Sequence, residues 1–530
     1  MRLSALTGAL ALTLSLSGPL HAQSKTDRAS VEWGAEMSDK KDGVFGSVFG
    51  HTDDAVYMTV FMKKERFVRK MDTGHRVQYQ KLLPMEIGKN DHVLERIVLS
   101  GDKIIVFSSF FDKKEKQNSL YGRTFNASDM SPAGEMQKLS SFSVERNRNQ
   151  GSFSVHASPN DEVFLVYQSL PYEKEGHERF ELKVLDNDLK TTWEQRVDLP
   201  YRDDEFGVQS FRVDNDASVM MIGNKYAEKR EAKALRKDGK ATYTYHLLVY
   251  RGDGAEPDDH AVEVPDKFLQ DLTITLADEG DILCGGFYGA KGSFTTSGAF
   301  FLRLDRNSKE IVHSSFKEFD KDFITMYMTE KEEAKATKRA EKKGEEVEMY
   351  DYELREIVVR SDGGAILLGE QYRFYTVTTC SSTPNGGQSC STSYHYVYND
   401  IIAINIDPQG NIEWAAKVPK RQHTVNDGGR ASSYALVVKG TDMHILFNDN
   451  GKNLFLKPGD KVEAYRPGKE ALITLATIDQ DGKVTREALL AVEKREAITL
   501  PMSAVQIGDD RLFIFADWRK THRFGTVTFN

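Results

Sequence analysis

Six aromatic residues flank a cysteine pair: Tyr372, Phe374 and Tyr375 precede Cys380, and Tyr394, Tyr396 and Tyr398 follow Cys390. Residues two apart on a strand share a face, so the spacing predicts flat, amphipathic rings in a row on a long hairpin. That is the chemistry of a surface that binds peptides or sugars. A second reading is equally open: Tyr and Thr favour any long exposed hairpin and pack on one another across its strands. Between the cysteines stand Pro384, Asn385, Gly386 and Gly387, a turn signal that brings two strands side by side. A disulfide between Cys380 and Cys390 is therefore expected in an oxidising compartment. The third cysteine, Cys284, lies in the apolar run Ile282-Leu283-Cys284 and reads as a buried small hydrophobe.

Other chemistries are poorly served. The histidines are scattered, with no pair at zinc-ligand spacing, so no metal site is expected. Asp479-Gln480-Asp481-Gly482 and Asp214-Asn215-Asp216 resemble fragments of calcium loops but lack the closing bidentate Glu, and hairpin turns explain them better. There is no G-x-S-x-G nucleophile elbow. Paired carboxylates for glycosidic cleavage stay open, because a chain with 80 acidic residues always offers pairs. No catalytic residue and no cofactor is assigned. Net charge is −9, with Lys and Arg interspersed among Asp and Glu, so the basic stripe that nucleic-acid binding needs is missing.

Residues 1–22 carry Arg2, an apolar and small-residue core, a Gly18-Pro19 break and Ala22, which is the pattern of a signal peptide cleaved before Gln23. No later stretch approaches the roughly 18 apolar residues of a membrane span. The mature chain, 23–530, is expected to be exported, periplasmic or extracellular, without a transmembrane anchor, and a monomer.

What must position the aromatic hairpin is a repeat. An acidic or Gly-containing turn opens an apolar strand eight times, from Asp53-Asp54 before AVYMTVF, through Asp362-Gly363-Gly364 before AILLGE, to Asp509-Asp510 before RLFIFA. A second signature, an apolar residue followed by Asp and a turn into another strand, recurs at Asp72, Asp186, Asp305, Asp407 and Asp479. Asp accepts N–H bonds within its own turn, so both are hairpin signals. Together they give four antiparallel strands per unit, a to d, and an all-β fold: a single β-propeller of eight blades, with seven as the alternative count. The blades fall at about 44–85, 93–140, 152–199, 207–265, 267–319, 353–420, 431–493 and 498–530. The last has only three strands, and Ser30-Val31-Glu32-Trp33 matches Asn411-Ile412-Glu413-Trp414, so residues 30–38 are expected to supply its fourth and close the ring. On this alignment Trp33, Trp193 and Trp414 share one repeat position.

The unit DGG-AILLGE … NDIIAINIDPQGNIEW resembles the repeats of secreted bacterial β-propellers, which implies the fold and little about activity. Asp407, Gly410 and Trp414 also resemble, in part, the docking motif of quinoprotein dehydrogenases, although the turn is one residue shorter and no vicinal cysteine pair is present.

In an up-and-down blade the b–c and d–a connections leave from one side of the disc. The long excursions, at about 168–179, 224–243, 370–399, 448–469 and 320–352, all belong to that set, so one face is elaborated. The 322–350 segment is rich in helix formers behind an apolar group of Phe323, Ile324, Met326, Tyr327 and Met328; it reads either as a docking helix or lid, or as a solvated helix pinned by its apolar end. The expected function is non-catalytic: binding or scaffolding of an envelope protein, peptide or glycan through this face. The alternative is a propeller enzyme, either a quinone-dependent oxidoreductase or a carbohydrate-active one.

Overall fold

The second strand of each repeat carries an unbroken buried apolar run, as in Ala55 to Met58 and Ile366 to Leu368, so a sheet built on it must be covered on both faces. Stacking the repeats face to face meets that demand. The computed structural model describes residues 25–530 except 88–89, 146–148, 172–176, 203, 239, 263–266, 277–280, 290–294, 309, 345–346, 383–387, 469 and 492–497. Within it, eight sheets each follow an antiparallel four-strand path. Sheets 1 to 8 span 44–82, 93–143, 152–202, 206–262, 268–318, 352–418, 435–491 and 498–529. The fold is an all-β propeller, as the repeats predict. The signal-peptide reading of residues 1–22 lies outside the described residues.

Side chains at successive positions of a strand serve opposite neighbours. In sheet 6, Ala365 and Leu367 join a cluster with Phe287 and Phe301 of sheet 5, while Ile366 and Leu368 pack with Ile445 and Phe447 of sheet 7. Every pair of consecutive sheets shares one such cluster, and an eighth unites Val56, Met58 and Val60 of sheet 1 with Phe513, Phe515 and Phe524 of sheet 8. The ring therefore closes through its core. It also closes through its backbone, because Ala29–Trp33 pairs antiparallel with the final strand, Ala29 opposite Phe529 and Trp33 opposite Gly525. Two sheet edges are removed at once.

Turn chemistry follows the Asp signature. Asp72, Asp186, Asp407 and Asp479 each accept a backbone N–H four residues on, at 2.8 to 2.9 Å, and Asp305 accepts from Ser308 at 2.7 Å. The outer-strand tryptophans staple neighbouring sheets. Trp414 donates Nε1–H to the Gln480 carbonyl at 2.8 Å and its ring covers Gly482, which has φ +77° and where a Cβ would lie 2.8 Å from Cδ2. Trp193 donates to Ala217 at 2.9 Å over Gly252 in the same manner. Trp33 departs from the expected equivalence. Its partner Gly525 is one register step away from the position that faces Trp414, so it packs back on the cluster shared with sheet 7, and Gly34 meets His75 of sheet 1 instead. In sheet 5 the staple position is taken by His313, which lies against Gly410.

The excursions contain most of the helix. Helix α1, Lys229–Lys237, lies in the sheet 4 insertion; α2, Lys321–Thr325, and α3, Glu330–Lys343, lie between sheets 5 and 6. Phe323 and Ile324 of α2 pack into the core between those sheets, so the apolar end does pin the segment. Helix α3 starts at a capping box of Thr329 and Glu332 and stops at Gly344 with φ +67°.

Candidate functional site

Strands Ala365–Ser382 and Gln388–Ile406 run well past their sheet as one hairpin, with Cys380 opposite Cys390 and joined to it. The tip turn at Pro384 to Gly387 falls outside the described residues. Register puts Tyr372 opposite Tyr398, Phe374 opposite Tyr396 and Thr376 opposite Tyr394. Five of the six predicted rings thus share one face: Tyr372 and Tyr398 lie 4.8 Å apart, Phe374 and Tyr396 5.1 Å, Phe374 and Tyr394 6.4 Å. Tyr375 is on the other face, stacked on His395 at 4.6 Å; His395 Nδ1 is 3.0 Å from His423 Nε2 of the added strand Gln422–Val425. The row is graded. Tyr398, at its root, is 7% exposed, whereas Phe374 and Tyr394 are each 47% exposed.

Below the root lies a charged cluster that the sequence did not disclose. Arg355 sits over Tyr372 at 4.7 Å and donates from Nε to Glu370 Oε2 at 3.2 Å. Glu370 is fully buried; it accepts from Lys420 Nζ at 2.6 Å and from Ser433 Oγ at 2.8 Å. Burial pushes the Lys420 ammonium down, against the pull of Glu370, and pushes the Glu356 carboxyl beneath Tyr434 up. Lys417 Nζ reaches across to α2 and donates to the Phe323 and Ile324 carbonyls at 2.7 and 3.0 Å. Burial lowers its pKa to about 8, with Asp400 opposing, and burial in turn raises Asp400. Glu370 and Lys420 stand fifty positions apart and match no motif; each follows the apolar run of its strand, Glu370 directly after Gly369 and Lys420 two residues past Val418.

Beside this cluster a pocket of about 440 Å³ opens between three excursions. One wall is the α2–α3 segment with Tyr327, Met328 and Ala340; another is the root of the hairpin with Gln371, Asn399 and Asp400. The third comes from the sheet 7 insertion with Lys461 and Val462. Two backbone bonds brace the walls: Gly459 N–H to the Met326 carbonyl at 3.0 Å and Tyr465 N–H to the Arg421 carbonyl at 2.8 Å. The 322–350 segment is therefore both pinned and one side of a cavity. A second hollow, of about 530 Å³, lies under α1 between Tyr201, Tyr226 and Tyr243.

Cys284 is buried, as expected, and burial pushes its thiol up to about 12. No helix among the described residues is long and apolar enough to cross a membrane.

No known family matches the chain, and no curated protein matches it. Among solved structures it is similar to the uncharacterised protein lmo1340 from Listeria monocytogenes EGD-e, at 8% identity over 91% of this chain and 92% of that one, with a TM-score of 0.33. It is similar also to the β-propeller domain of the Trilobed protease from Pyrococcus furiosus, at 8% identity over 72% and 96%, TM-score 0.32. A third is prolyl oligopeptidase B from Galerina marginata, at 9% identity over 68% of this chain but only 38% of that protein, TM-score 0.32. At such identities and scores these likenesses carry nothing about activity.

Proposed function

We propose that the protein is an exported, eight-bladed, non-catalytic propeller that binds an envelope protein, peptide or glycan through its insertion-bearing face. The observation that carries this reading is the row of five rings on one face of a disulfide-closed hairpin, rooted in the core and half exposed toward its end. Tyr and Phe rings offer contact area at small entropic cost, and a stapled hairpin is already ordered before it binds. Export is supported by the character of residues 1–22 and by the disulfide at an exposed tip.

The test is capture. Tyr394→Ser with Tyr396→Ser should abolish retention of an envelope partner in a pull-down from a membrane-and-periplasm extract while the melting temperature stays nearly unchanged. Capture that survives the double change removes the hairpin from the reading.

The enzyme reading has one observation in its favour: Lys417 and Asp400, both shifted by burial, border a cavity. Lys417, however, is already committed to two carbonyls of α2. An absorbance spectrum of the purified protein tests the quinone branch, and a screen of glycan hydrolysis tests the other.

A further inference from the structure

The pocket between α2–α3, the hairpin root and the sheet 7 insertion has a composition unlike the rest of the chain. Its lining holds six basic residues, Lys335, Arg339, Lys417, Lys420, Arg421 and Lys461, against three acidic ones, Glu332, Glu348 and Asp400. The whole protein has a net charge of −9, so this is a local reversal of sign. The deep cations are engaged: Lys417 with the α2 carbonyls and Lys420 with Glu370. Arg339 lies over the Tyr350 ring at 4.9 Å and Lys461 pairs with Glu463 at 2.9 Å. The side chains of Lys335 and Arg421 are exposed and make no ion pair within 4 Å among the described residues, although the Arg421 charge reaches Glu332 and Glu463 and helps, behind their hydrogen bonds to Thr329 and Lys461, to lower both carboxyls.

The remaining wall is apolar and aromatic, with Tyr327, Met328, Val347, Met349, Tyr352 and Val462. At the floor Asn399 donates from Nδ2 to Gln371 at 3.0 Å, while its Oδ1 is buried with no donor among the described residues. A buried acceptor without a donor carries a desolvation penalty that an incoming N–H or O–H relieves.

Taken together these features describe a complement, and we infer that the pocket binds a small amphiphilic carboxylate: an apolar body, one anionic group held at the mouth by Lys335 and Arg421, and a hydrogen-bond donor for Asn399. A cavity of about 440 Å³ is the size of a ligand of a few residues or a single aromatic acid. Two sources carry this chemistry, the free carboxyl terminus of a peptide ending in an apolar residue and a free aromatic acid. The inference rests on the insertion-bearing face being a recognition surface, but it uses none of the exposed hairpin rings.

The experiment is calorimetric titration of the full mature chain with N-acetyl-Gly-Gly-Phe as the free acid, the same peptide as its C-terminal amide, 3-(4-hydroxyphenyl)propionate, whose phenol supplies the donor, and 3-(4-hydroxyphenyl)propylammonium. Binding of at least one acid, with the amide or the ammonium at least tenfold weaker, supports the assignment. Arg421→Glu and Lys335→Glu, at exposed positions that leave the fold alone, should each weaken the acid by tenfold or more. Tighter binding of the peptide acid than of 3-(4-hydroxyphenyl)propionate identifies a chain end as the source; equal or weaker binding identifies a free acid. No heat with either acid, equal binding of the amide and the ammonium, or indifference to both charge reversals overturns it. The Tyr394→Ser, Tyr396→Ser protein should bind the acids unchanged, so loss of partner capture there and loss of acid binding here report separate failures.

Discussion

Lys420→Met probes the buried pair at the root of the hairpin. Nζ lies 2.6 Å from Glu370 Oε1, and both side chains are fully buried. At that separation and an effective dielectric of about 20, the attraction is about 6 kcal/mol. Stripping water from each ion removes several kcal/mol, so the intact pair is close to neutral in its net contribution. Removing one partner is a different matter, because the other stays charged in the interior. Such losses run to about 3–5 kcal/mol, and Glu370 would keep the Ser433 hydroxyl and the Arg355 guanidinium, which places Lys420→Met near the lower end, at about 3 kcal/mol. The assay is urea unfolding followed by tryptophan fluorescence and by circular dichroism together, so that partial unfolding of single sheets is seen as a split between probes. Glu370→Leu alone should destabilise similarly by stranding Lys420. The double variant, Glu370→Leu with Lys420→Met, should recover most of either single loss but stay about 1–2 kcal/mol below the parent, because the Ser433 hydroxyl and the Arg355 guanidinium lose Glu370 as acceptor. A Lys420→Met protein as stable as the parent, or a double variant that loses the sum of both single losses, would refute the assignment of the pair as mutually compensating.

Three further outcomes are expected. Burial holds the His444 imidazole, which stacks on Phe529 at 4.7 Å, down at about 4 from 6.5. The unfolded chain then binds the extra proton first, so stability present above about pH 6.5 falls as pH drops toward 4, by about 3 kcal/mol from this residue; His444→Gln should flatten that slope in unfolding curves at stepped pH. Gly482→Ala should cost about 1–3 kcal/mol in the same assay, from a positive φ and the collision with Trp414, whereas Gly459→Ala, also at positive φ (+84°) but with open space around it, should cost less. Val31→Asp places a carboxylate in the cluster shared by sheets 7 and 8, and should convert a monodisperse peak in size-exclusion chromatography into aggregates through the freed edge of the final strand.

The repeat architecture was legible because hairpin chemistry is local: an Asp that binds its own turn and an apolar run behind it are visible within ten residues. Closure was legible for the same reason, since the strand at Val31 carries the period of the strand it completes. What failed at Trp33 was register, which is set by pairing with Gly525 and by contact with His75, both remote in the chain. The facing of Tyr375 away from the other rings follows strictly from alternation, and grouping it with them ignored that parity. The pocket and the Glu370–Lys420 pair were not readable. Their members come from residues spread between Ile324 and Val462, and no spacing rule links side chains that meet only after three insertions have folded over one another.

The pairing of Ala29–Trp33 with Gly525–Phe529 joins segments about 500 residues apart, and this has a consequence for the order of maturation. Whether the polypeptide emerges from a ribosome or from a translocation channel, its first strand arrives long before its mate. Until the last segment follows, sheet 1 has an uncovered flank and the leading strand has no partner, while neighbouring sheets can already zip together by short-range contacts. Ring closure is thus expected to be the last step. During that interval the molecule is an open arc whose two ends can each capture a second copy, so yield should depend on protein concentration and on holding chaperones far more than the finished ring does.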